Sequence, residues 1–386
     1  MIVVPSRMGR LNKRALLNCL QTMRTASRAD LAKSLGLSQP TAGKIADELL
    51  ELGVFEEVEE EAEQSRKHPH RGPKLGRPAR MLRLTESKPR FLGIQLGVAH
   101  TRLARLSLSV KDESEFAVDF KTPNTAKEWV QQLRKAAGQI SQRSFWGVLV
   151  SVPGIVDERK GQVLYSPNLH WTEGANLAAL VRQVWHAPVM LIQEQRALAL
   201  GHHSTDPAGE DFLLVDFGDG VGGAVMTTGK LYGYPPPAGG ELGHTPIVGN
   251  DRRCGCGAIG CLETLTSYHG LLTSFAASSP KGPHTWEALS SSIAGQGIAP
   301  WLGKTLDTAA AVIAGALNVL GVRRVVITGA LVELPEEVFS GLSTAIARGI
   351  LWARFGQVKI EKAPRRRNAG LVAAGIDRLV VPMGDS

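Results

Sequence analysis

The segment GGELGHTPIVGNDRRCGCGAIGCLE, residues 239–263, concentrates the metal-binding chemistry of this 386-residue chain. It spaces His244, Cys254, Cys256 and Cys261 as H-x9-C-x-C-x4-C. One imidazole and three thiolates complete the closed tetrahedral set that holds structural zinc, and four protein ligands leave no open position for catalysis. Glycines between the cysteines let the chain turn tightly about an ion only about 2.3 Å from each sulfur. We therefore predict one structural Zn²⁺ per chain, with free buried thiols as the alternative.

The composition excludes several classes of protein. Apolar residues make up 43% of the chain and charged residues 21%, which excludes disorder along its whole length. No apolar run reaches the roughly 18–20 residues of a transmembrane helix. The first residues, MIVVPSRMGRLNKR, lack the apolar core of a signal peptide. We expect a cytoplasmic protein whose thiols are reduced, with no membrane partner and with Cys19 in the core.

The formal charge of +8 is distributed unevenly along the chain. Residues 1–50 carry eight Lys/Arg against three Asp/Glu, and residues 64–90 carry nine against one. Between them, residues 51–63 carry seven Glu and no basic residue. Two basic blocks around an acidic segment favour a nucleic-acid-binding module, although a solvated basic face has the same composition.

Capping signals divide the N-terminal region into three predicted helices. The first covers residues 12–23, where leucines recur at helical spacing. The second begins after Ser27, in a capping-box pattern, and ends at Gly36. The third begins after Ser38, with Pro40 in its first turn, where a missing N–H costs nothing. Two capped helices joined by a short turn are typical of a helix-turn-helix.

The start of the third helix has the composition of a DNA-contacting surface. Its side chains are small or polar, which lets a helix approach base edges in the major groove. The residues that we expect to contact DNA here are Ser38, Gln39, Pro40, Thr41 and Lys44. A plain three-helix bundle with a polar surface is the alternative.

A predicted wing follows the three helices. Residues 54–58 and 81–84 have the patterns of paired strands, and the basic loop SRKHPHRGPKLGRPAR, residues 65–80, separates them. Within it, Gly-Arg-Pro is a slim, extended element that fits a minor groove. The residues that we expect to contact DNA in the wing are Arg71, Lys74, Gly76, Arg77 and Pro78. A solvated flexible linker is the alternative.

Beyond residue 90 the pattern changes to strands alternating with helices. Apolar strands such as FWGVLVSVPG, residues 145–154, alternate with helical segments such as residues 126–141 and 305–320. This alternation predicts an α/β protein. Glycine-rich turns near residues 97 and 219 each join two apolar strands, which indicates a duplicated fold with a cleft between two lobes.

Several motifs together resemble the ROK family of bacterial repressors and sugar kinases. They are GRPARMLRL after the helix-turn-helix, SVPGIVD, YSPNLHW, GGELGH and CGCGAIGCLE. The resemblance covers essentially the whole chain, and the N-terminal module places it in the repressor branch, near regulators of xylose, N-acetylglucosamine or glucose use. It implies a winged helix-turn-helix at residues 1–88 followed by an actin-like (hexokinase-like) two-lobed ROK domain. The lobes are expected at residues 89–202 and 203–386, with the last helix returning to the first lobe.

The resemblance also implies a structural zinc and a sugar site in the cleft between the lobes. The implied sugar contacts are Asn168, Gln193, Glu194, Glu241, His244 and Glu263. Carboxylates and amides suit this role because they accept and donate hydrogen bonds to vicinal hydroxyls. Surface charges or helix caps are the alternative roles for Glu241 and Glu263.

The chain departs from the kinase members at three positions. Gln193–Glu194 stands where they have Asn-Asp, so the carboxylate at the position of the general base is one methylene longer. Residues 95–100, QLGVAH, lack the acidic residue of the first phosphate motif, and Asp219 replaces a phosphate-binding threonine. An anion there repels nucleotide phosphates. We therefore predict no catalytic residues and no kinase activity.

These observations predict a sugar-responsive repressor of carbohydrate-use genes. Its partners are expected to be a double-stranded DNA operator, a sugar or sugar phosphate, and a second copy in a homodimer or dimer of dimers. Two alternatives stay open: a sugar kinase that retains a DNA-binding domain, and a regulator that has lost sugar binding and responds to a protein partner.

Overall fold

The computed structural model of the protein describes residues 5–58, 80–86, 88–110, 112–141, 144–206, 209–233 and 239–381. The predicted wing contacts Arg71, Lys74, Gly76, Arg77 and Pro78 lie outside these residues. Within them the chain forms an N-terminal module of helices and a small sheet, followed by two α/β lobes.

The N-terminal module contains three helices: α1 (Pro5–Met23), α2 (Arg28–Leu35) and α3 (Gln39–Glu51). The capping box before α2 is present, since the Ser27 hydroxyl accepts from the Asp30 N–H and the Asp30 carboxylate accepts from the Ser27 N–H. Gly36 ends α2 with a φ of 63°. Helix α1 begins at Pro5, before the predicted start at residue 12. Met8 and Leu11 are exposed there, so the apolar periodicity did not reveal this part of the helix.

The strands predicted for the wing are present as a small sheet. Strand β2 (Phe55–Val58) pairs antiparallel with β3 (Met81–Leu84), with Phe55 opposite Leu84. The sheet has a third strand, β1 (Ala26–Ser27), which also pairs with β3. Two residues are too few to show a strand pattern, so this edge was not predictable from periodicity.

Each lobe contains one five-stranded sheet. The first lobe has β4 (Phe91–Leu96), β5 (His100–Leu106), β6 (Val118–Lys121), β7 (Gly147–Val152) and β10 (Val189–Gln193), in the order β10-β7-β4-β5-β6. The second lobe has β11 (Phe212–Phe217), β12 (Val221–Thr227), β13 (Lys230–Leu231), β14 (Arg324–Gly329) and β15 (Lys359–Lys362), in the order β13-β12-β11-β14-β15. In both sheets the first three strands form an antiparallel meander. Two further strands then pair in parallel along the free edge of the first strand of that meander. The two sheets therefore repeat one topology.

Helices and a short hairpin complete the lobes. The hairpin is β8 (Ile155–Asp157) with β9 (Gln162–Tyr165). The helices are α4 (Ala126–Gln139), α5 (Leu177–Arg182), α6 (Glu194–Thr205), α7 (Glu263–Thr266), α8 (Tyr268–Ser278), α9 (Trp286–Gln296), α10 (Pro300–Leu320), α11 (Glu336–Gly349) and α12 (Arg367–Gly375). None of the helices in the described ranges is long and apolar enough to cross a membrane.

Helices α6 and α12 cross at very close range. A Cβ at Gly370 would overlap the carbonyl oxygen of Ala197, and one at Gly201 would overlap that of Arg366. Gly375, at the end of α12, lies against Phe91 and Leu149 of the first sheet, so the last helix packs on the first lobe. The boundary predicted at residues 202–203 falls inside α6, which runs on to Thr205.

One apolar cluster joins the N-terminal module to the first lobe. Leu16, Leu20 and Leu31 from the module belong to the same cluster as Leu149 and Leu371. All five side chains are fully buried. The module is therefore packed onto the sheet and α12, and a shift of α12 would disturb its core.

Candidate functional site

The two lobes line one polar cleft of about 300 Å³. The first lobe supplies the ends of β4 and β10, the start of α6 and the segment before residue 169. The second lobe supplies the turn after β11 and the loop that carries the metal-binding motif. All six residues implied as sugar contacts line this cleft: Asn168, Gln193, Glu194, Glu241, His244 and Glu263.

The four predicted metal ligands converge beside the cleft. The ligand atoms of His244, Cys254, Cys256 and Cys261 all lie within 4.8 Å of one another. The Sγ atoms of Cys256 and Cys261 are 3.6 Å apart, and Cys254 Sγ is 3.7 Å from His244 Nδ1. A tetrahedron with metal–sulfur bonds of about 2.3 Å has edges of about 3.8 Å. These four residues can therefore hold a metal ion with little rearrangement.

The chemistry of the buried thiols also fits a bound cation. Burial raises the pKa of Cys254, and the hydrogen bond to Glu263, with Sγ 3.0 Å from Oε1, raises it further. A thiol in this position resists ionisation unless a positive charge is present. A coordinated divalent ion supplies that charge, because it deprotonates a coordinating thiol outright.

Glycine and tyrosine contacts connect the loop that carries the candidate metal ligands, residues 244–261, to the first lobe. Gly257 and Gly260 adopt φ values of 88° and 87°, which side chains with a Cβ rarely reach. A Cβ at Gly255 would lie 2.9 Å from the carbonyl oxygen of Pro167. The Tyr165 hydroxyl donates to the carbonyl of Cys256 at 3.1 Å. The loop therefore contacts the segment that carries the predicted sugar contact at residue 168.

A hydrogen-bonded set of polar side chains spans the cleft. The Gln193 side-chain amide donates to Glu241 Oε1 at 3.1 Å and so connects the two lobes. Burial raises the pKa of Glu241. Glu263 accepts from the Val221 N–H at 3.4 Å. His244 turns Nδ1 towards Cys254, while its Nε2 lies 3.8 Å from Glu241. One imidazole can therefore ligate a metal and still face the cleft.

The start of the segment that corresponds to the first phosphate motif of the kinases, Gln95, is hydrogen-bonded to residues of α12. Gln95 is buried, and its amide donates to Asn368 Oδ1 at 2.7 Å. Arg367 donates to Gln95 Oε1 at 3.0 Å and forms an ion pair with Glu194. Burial lowers the pKa of Arg367 to about 10, so it stays charged at neutral pH. Two of the three positions at which the chain departs from the kinases, residues 95 and 194, are therefore bound to one guanidinium.

A second arginine, Arg365, lines the cleft and pairs with a carboxylate of the second lobe. Arg365 contacts the Asp216 carboxylate with two hydrogen bonds, of 2.8 and 2.9 Å. Asp216 is 2% exposed at the end of β11, and burial raises its pKa despite the arginine. Sequence reasoning missed Arg365 and Arg367. Their signal was the basic run at residues 365–367, directly before the last helix.

Comparison with known proteins now identifies the family. Residues 91–376 match the model of the ROK family. The chain belongs to the ROK family. It is similar to the putative xylose repressor of Caldicellulosiruptor sp. (strain Rt8B.4), with 29% identity over 271 residues, 68% of this chain and 65% of that protein. It is also similar to the DNA-binding transcriptional dual regulator NagC of Escherichia coli (strain K12), with 26% identity over 268 residues, 67% of this chain and 62% of NagC. These matches cover slightly less than two thirds of each relative's length.

A solved structure extends the fold comparison to nearly the whole chain. It is the crystal structure of a ROK family transcriptional regulator, a homologue of the E. coli MLC protein, with a TM-score of 0.72 and 20% identity. The similarity covers 96% of this chain and 97% of that one. The N-terminal helices and the two lobes thus share the fold of a ROK regulator.

The predicted DNA-contacting residues of α3 lie together on the surface of the ROK chain. Ser38, Gln39, Pro40, Thr41 and Lys44 are all exposed. The Ser38 hydroxyl caps the helix by accepting from the Thr41 N–H at 3.3 Å. Arg10, Asn12 and Lys13 of α1 line the same depression as Lys44, a contribution that sequence reasoning missed. Lys13 also forms an ion pair with Glu48 at 2.7 Å.

Proposed function

We propose that this ROK protein is a repressor that binds operator DNA through its N-terminal module and senses a sugar in the interlobe cleft. One observation carries the proposal. One apolar core contains residues of α3, whose N-terminal end is exposed, and residues of the first lobe. The first lobe also lines the polar cleft. The similarity to a putative xylose repressor and to NagC supports the same function.

DNA recognition would use two elements of the module. The exposed start of α3 would enter the major groove, with Gln39, Thr41 and Lys44 towards base edges and phosphates. The wing would place Arg77 in the adjacent minor groove. A homodimer would bind two half-sites about 34–36 Å apart, or multiples of that distance.

Sugar recognition would use the polar set of the cleft. Asn168, Gln193, Glu241 and Glu263 offer amide and carboxylate groups to hydroxyls, and His244 faces them from the metal cluster. We propose Zn²⁺ as the ion, because it favours one imidazole and three thiolates. When bound, the ion would fix the loop that carries His244 and so hold one wall of the sugar site.

Catalysis is not part of the proposal, and three features of the cleft support leaving it out. Arg367 pairs directly with Glu194, so the carboxylate at the position of the general base is already occupied by a guanidinium. Gln95 is neutral and already hydrogen-bonded on both its amide atoms. Asp219 adds a negative charge to the lining of the cleft, which would repel the phosphates of a nucleotide bound beside it. The alternative of a kinase with a DNA-binding domain is therefore disfavoured.

Two helices give the cleft a physical connection to the DNA-binding module. Helix α6 begins in the cleft at Glu194 and α12 begins there at Arg367, where the two residues form an ion pair. The close crossing at Gly201 and Gly370 leaves little room for one helix to shift without the other. Just beyond α12, a carboxylate pairs with α1, since Asp377 Oδ1 lies 2.6 Å from Arg14 Nη2.

A sugar that changes the contacts of Glu194 would therefore bias the position of α1. A ligand shifts such an equilibrium only by its different affinity for the two arrangements. A small rotation of each module would be enough to disturb half-site spacing in a dimer.

The proposal is tested by measuring operator binding in the presence of different sugars. The full-length protein would first select a DNA duplex from a random pool. This duplex, fluorescently labelled, would then be titrated with the protein in the presence of xylose, N-acetylglucosamine, glucose or no sugar, and binding would be followed by fluorescence anisotropy. We expect one sugar to change operator affinity at least about tenfold, a coupling of roughly 1.4 kcal/mol. We also expect no phosphorylated sugar when ATP and Mg²⁺ are added. Turnover of any of these sugars would contradict the proposal, and so would failure to select DNA.

A further inference from the structure

A second cavity, of about 370 Å³, lies where the N-terminal module meets the two lobes. Its walls are formed by α1, α6, the hairpin of β12 and β13, and the end of α12. Among the described residues, none of those that line it also lines the sugar cleft. Its polar side chains include Arg14, Asn18, Arg196, His203, Lys230 and Arg378.

Cations outnumber carboxylates in and around this junction cavity. Arg14 pairs with Asp377, while Arg196 and Arg378 share Glu158. Four cationic side chains line the cavity, the fourth being Lys230. They face two carboxylates, so two positive charges remain uncompensated.

Lys230 holds one of the uncompensated charges. It is exposed at the tip of the second lobe's hairpin, and no carboxylate of the described residues lies within ion-pair distance of it. Burial raises the pKa of Asp377, while Arg14, Arg378 and Lys230 all act to lower it. Arg14, Lys230 and Arg378, from three parts of the chain, line the same cavity as Asp377.

Neutral hydrogen-bonding groups complete the lining. Asn18 and Gln21 project from α1. Burial lowers the pKa of His203, so its imidazole is neutral at pH 7. These groups can donate to an anion's oxygens without adding charge.

We propose that the junction cavity binds a small dianion, of the class of phosphate monoesters. A phosphate monoester carries a charge of about −1.5 to −2 at neutral pH and offers three strong acceptor oxygens. That charge matches the two uncompensated cations, and arginine is well suited to phosphate because its guanidinium can bind two oxygens at once. The volume suits a small ligand rather than a polymer.

Such a ligand would bridge the DNA-binding module and the sugar-binding lobes. Arg14 belongs to α1, whereas Arg196, Lys230 and Arg378 belong to the lobes. A dianion bound between them holds α1 in its present position on the lobes. The protein would then respond to a phosphorylated metabolite at a site separate from the sugar cleft. This inference goes beyond the proposed function and does not depend on it.

The test is calorimetric titration of the full-length protein at constant ionic strength. The ligands are glycerol 3-phosphate and inorganic phosphate, with glycerol as the uncharged control; none of the three is a sugar. We expect one phosphate site per chain and no heat of binding with glycerol. Lys230→Gln should weaken glycerol 3-phosphate binding at least about tenfold. Lys304→Gln, which neutralises an exposed lysine on α10, should bind as the wild type does.

Folding of the variants is checked by their thermal midpoints without ligand, which should equal that of the wild type because both lysines are exposed. Three results would overturn the proposal: no phosphate binding by the wild type, equal heats with glycerol, or unchanged affinity in Lys230→Gln. A protein that ignores every sugar could still pass this test, so its outcome is distinguishable from that of the operator experiment.

Discussion

At the scale of single residues, Cys256 contributes to the cleft both through its thiol and through its backbone. Its thiol belongs to the cluster of candidate metal ligands, and its backbone carbonyl accepts a hydrogen bond from the Tyr165 hydroxyl of the first lobe. We expect Cys256→Ser to lose zinc affinity by more than the roughly 10–100-fold typical of outer partners of a metal site, because a ligand itself is removed. Its thermal midpoint should fall, since metal binding contributes to folding.

Elemental analysis of protein purified without chelators is the measurement. Cys19→Ser is the matched control, because Cys19 lies on α1, far from the cluster in sequence, and should leave one zinc per chain. A wild type without zinc, or a Cys256→Ser protein with a full complement, would show that the cluster is not a metal site.

Single residues also show why sequence reasoning succeeded in one place and failed in another. The His/Cys cluster that could hold a metal ion and the capping box at Ser27 each lie within a short stretch, where spacing alone predicts that the side chains meet. The Arg367–Glu194 pair joins residues 173 positions apart. No local pattern specifies which of many arginines meets that carboxylate, since only the folded chain brings α12 to the start of α6.

The crossing of α6 and α12 is the decisive contact at the scale of elements. Gly370 leaves no room for a side chain, because a Cβ there would overlap the backbone of α6. We expect Gly370→Ala to lower the free energy of unfolding by about 1–3 kcal/mol, as overpacking does. Gly315→Ala on α10 is the control, since a Cβ at that position would have no neighbouring atom within 4 Å. That substitution should be neutral or stabilise by roughly 0.5–1 kcal/mol.

Urea unfolding of both variants measures the difference. Equal midpoints for Gly370→Ala and Gly315→Ala would mean that the two helices can separate freely, and the connection between cleft and module would lose its basis. Central strands such as β4, β7 and β11 and long helices such as α4 and α10 were predictable from periodicity. This crossing was not, because a glycine's role depends on the helix opposite it.

Continuity of packing is the main property at the scale of the whole molecule. The N-terminal module shares a core with the first lobe, and Arg14 pairs with Asp377 beyond α12. The sequence predicted the module and a duplicated α/β fold, since each has its own periodicity and turns. It did not predict that α6 runs through the expected boundary at residues 202–203, because a helix shows no break where two lobes meet.

The most direct test of the account combines the cleft and the operator in one measurement. The operator affinity of Glu241→Gln would be determined with and without the sugar that changes the operator affinity of the wild type. The control is Glu337→Gln, which changes an exposed carboxylate on α11. We expect Glu241→Gln to bind the operator within about twofold of the wild type without sugar and to lose the sugar response, because Glu241 lies in the cleft and bridges to Gln193. Glu337→Gln should respond as the wild type does. A Glu241→Gln protein with a normal sugar response would contradict the claim that this cleft is the sensor.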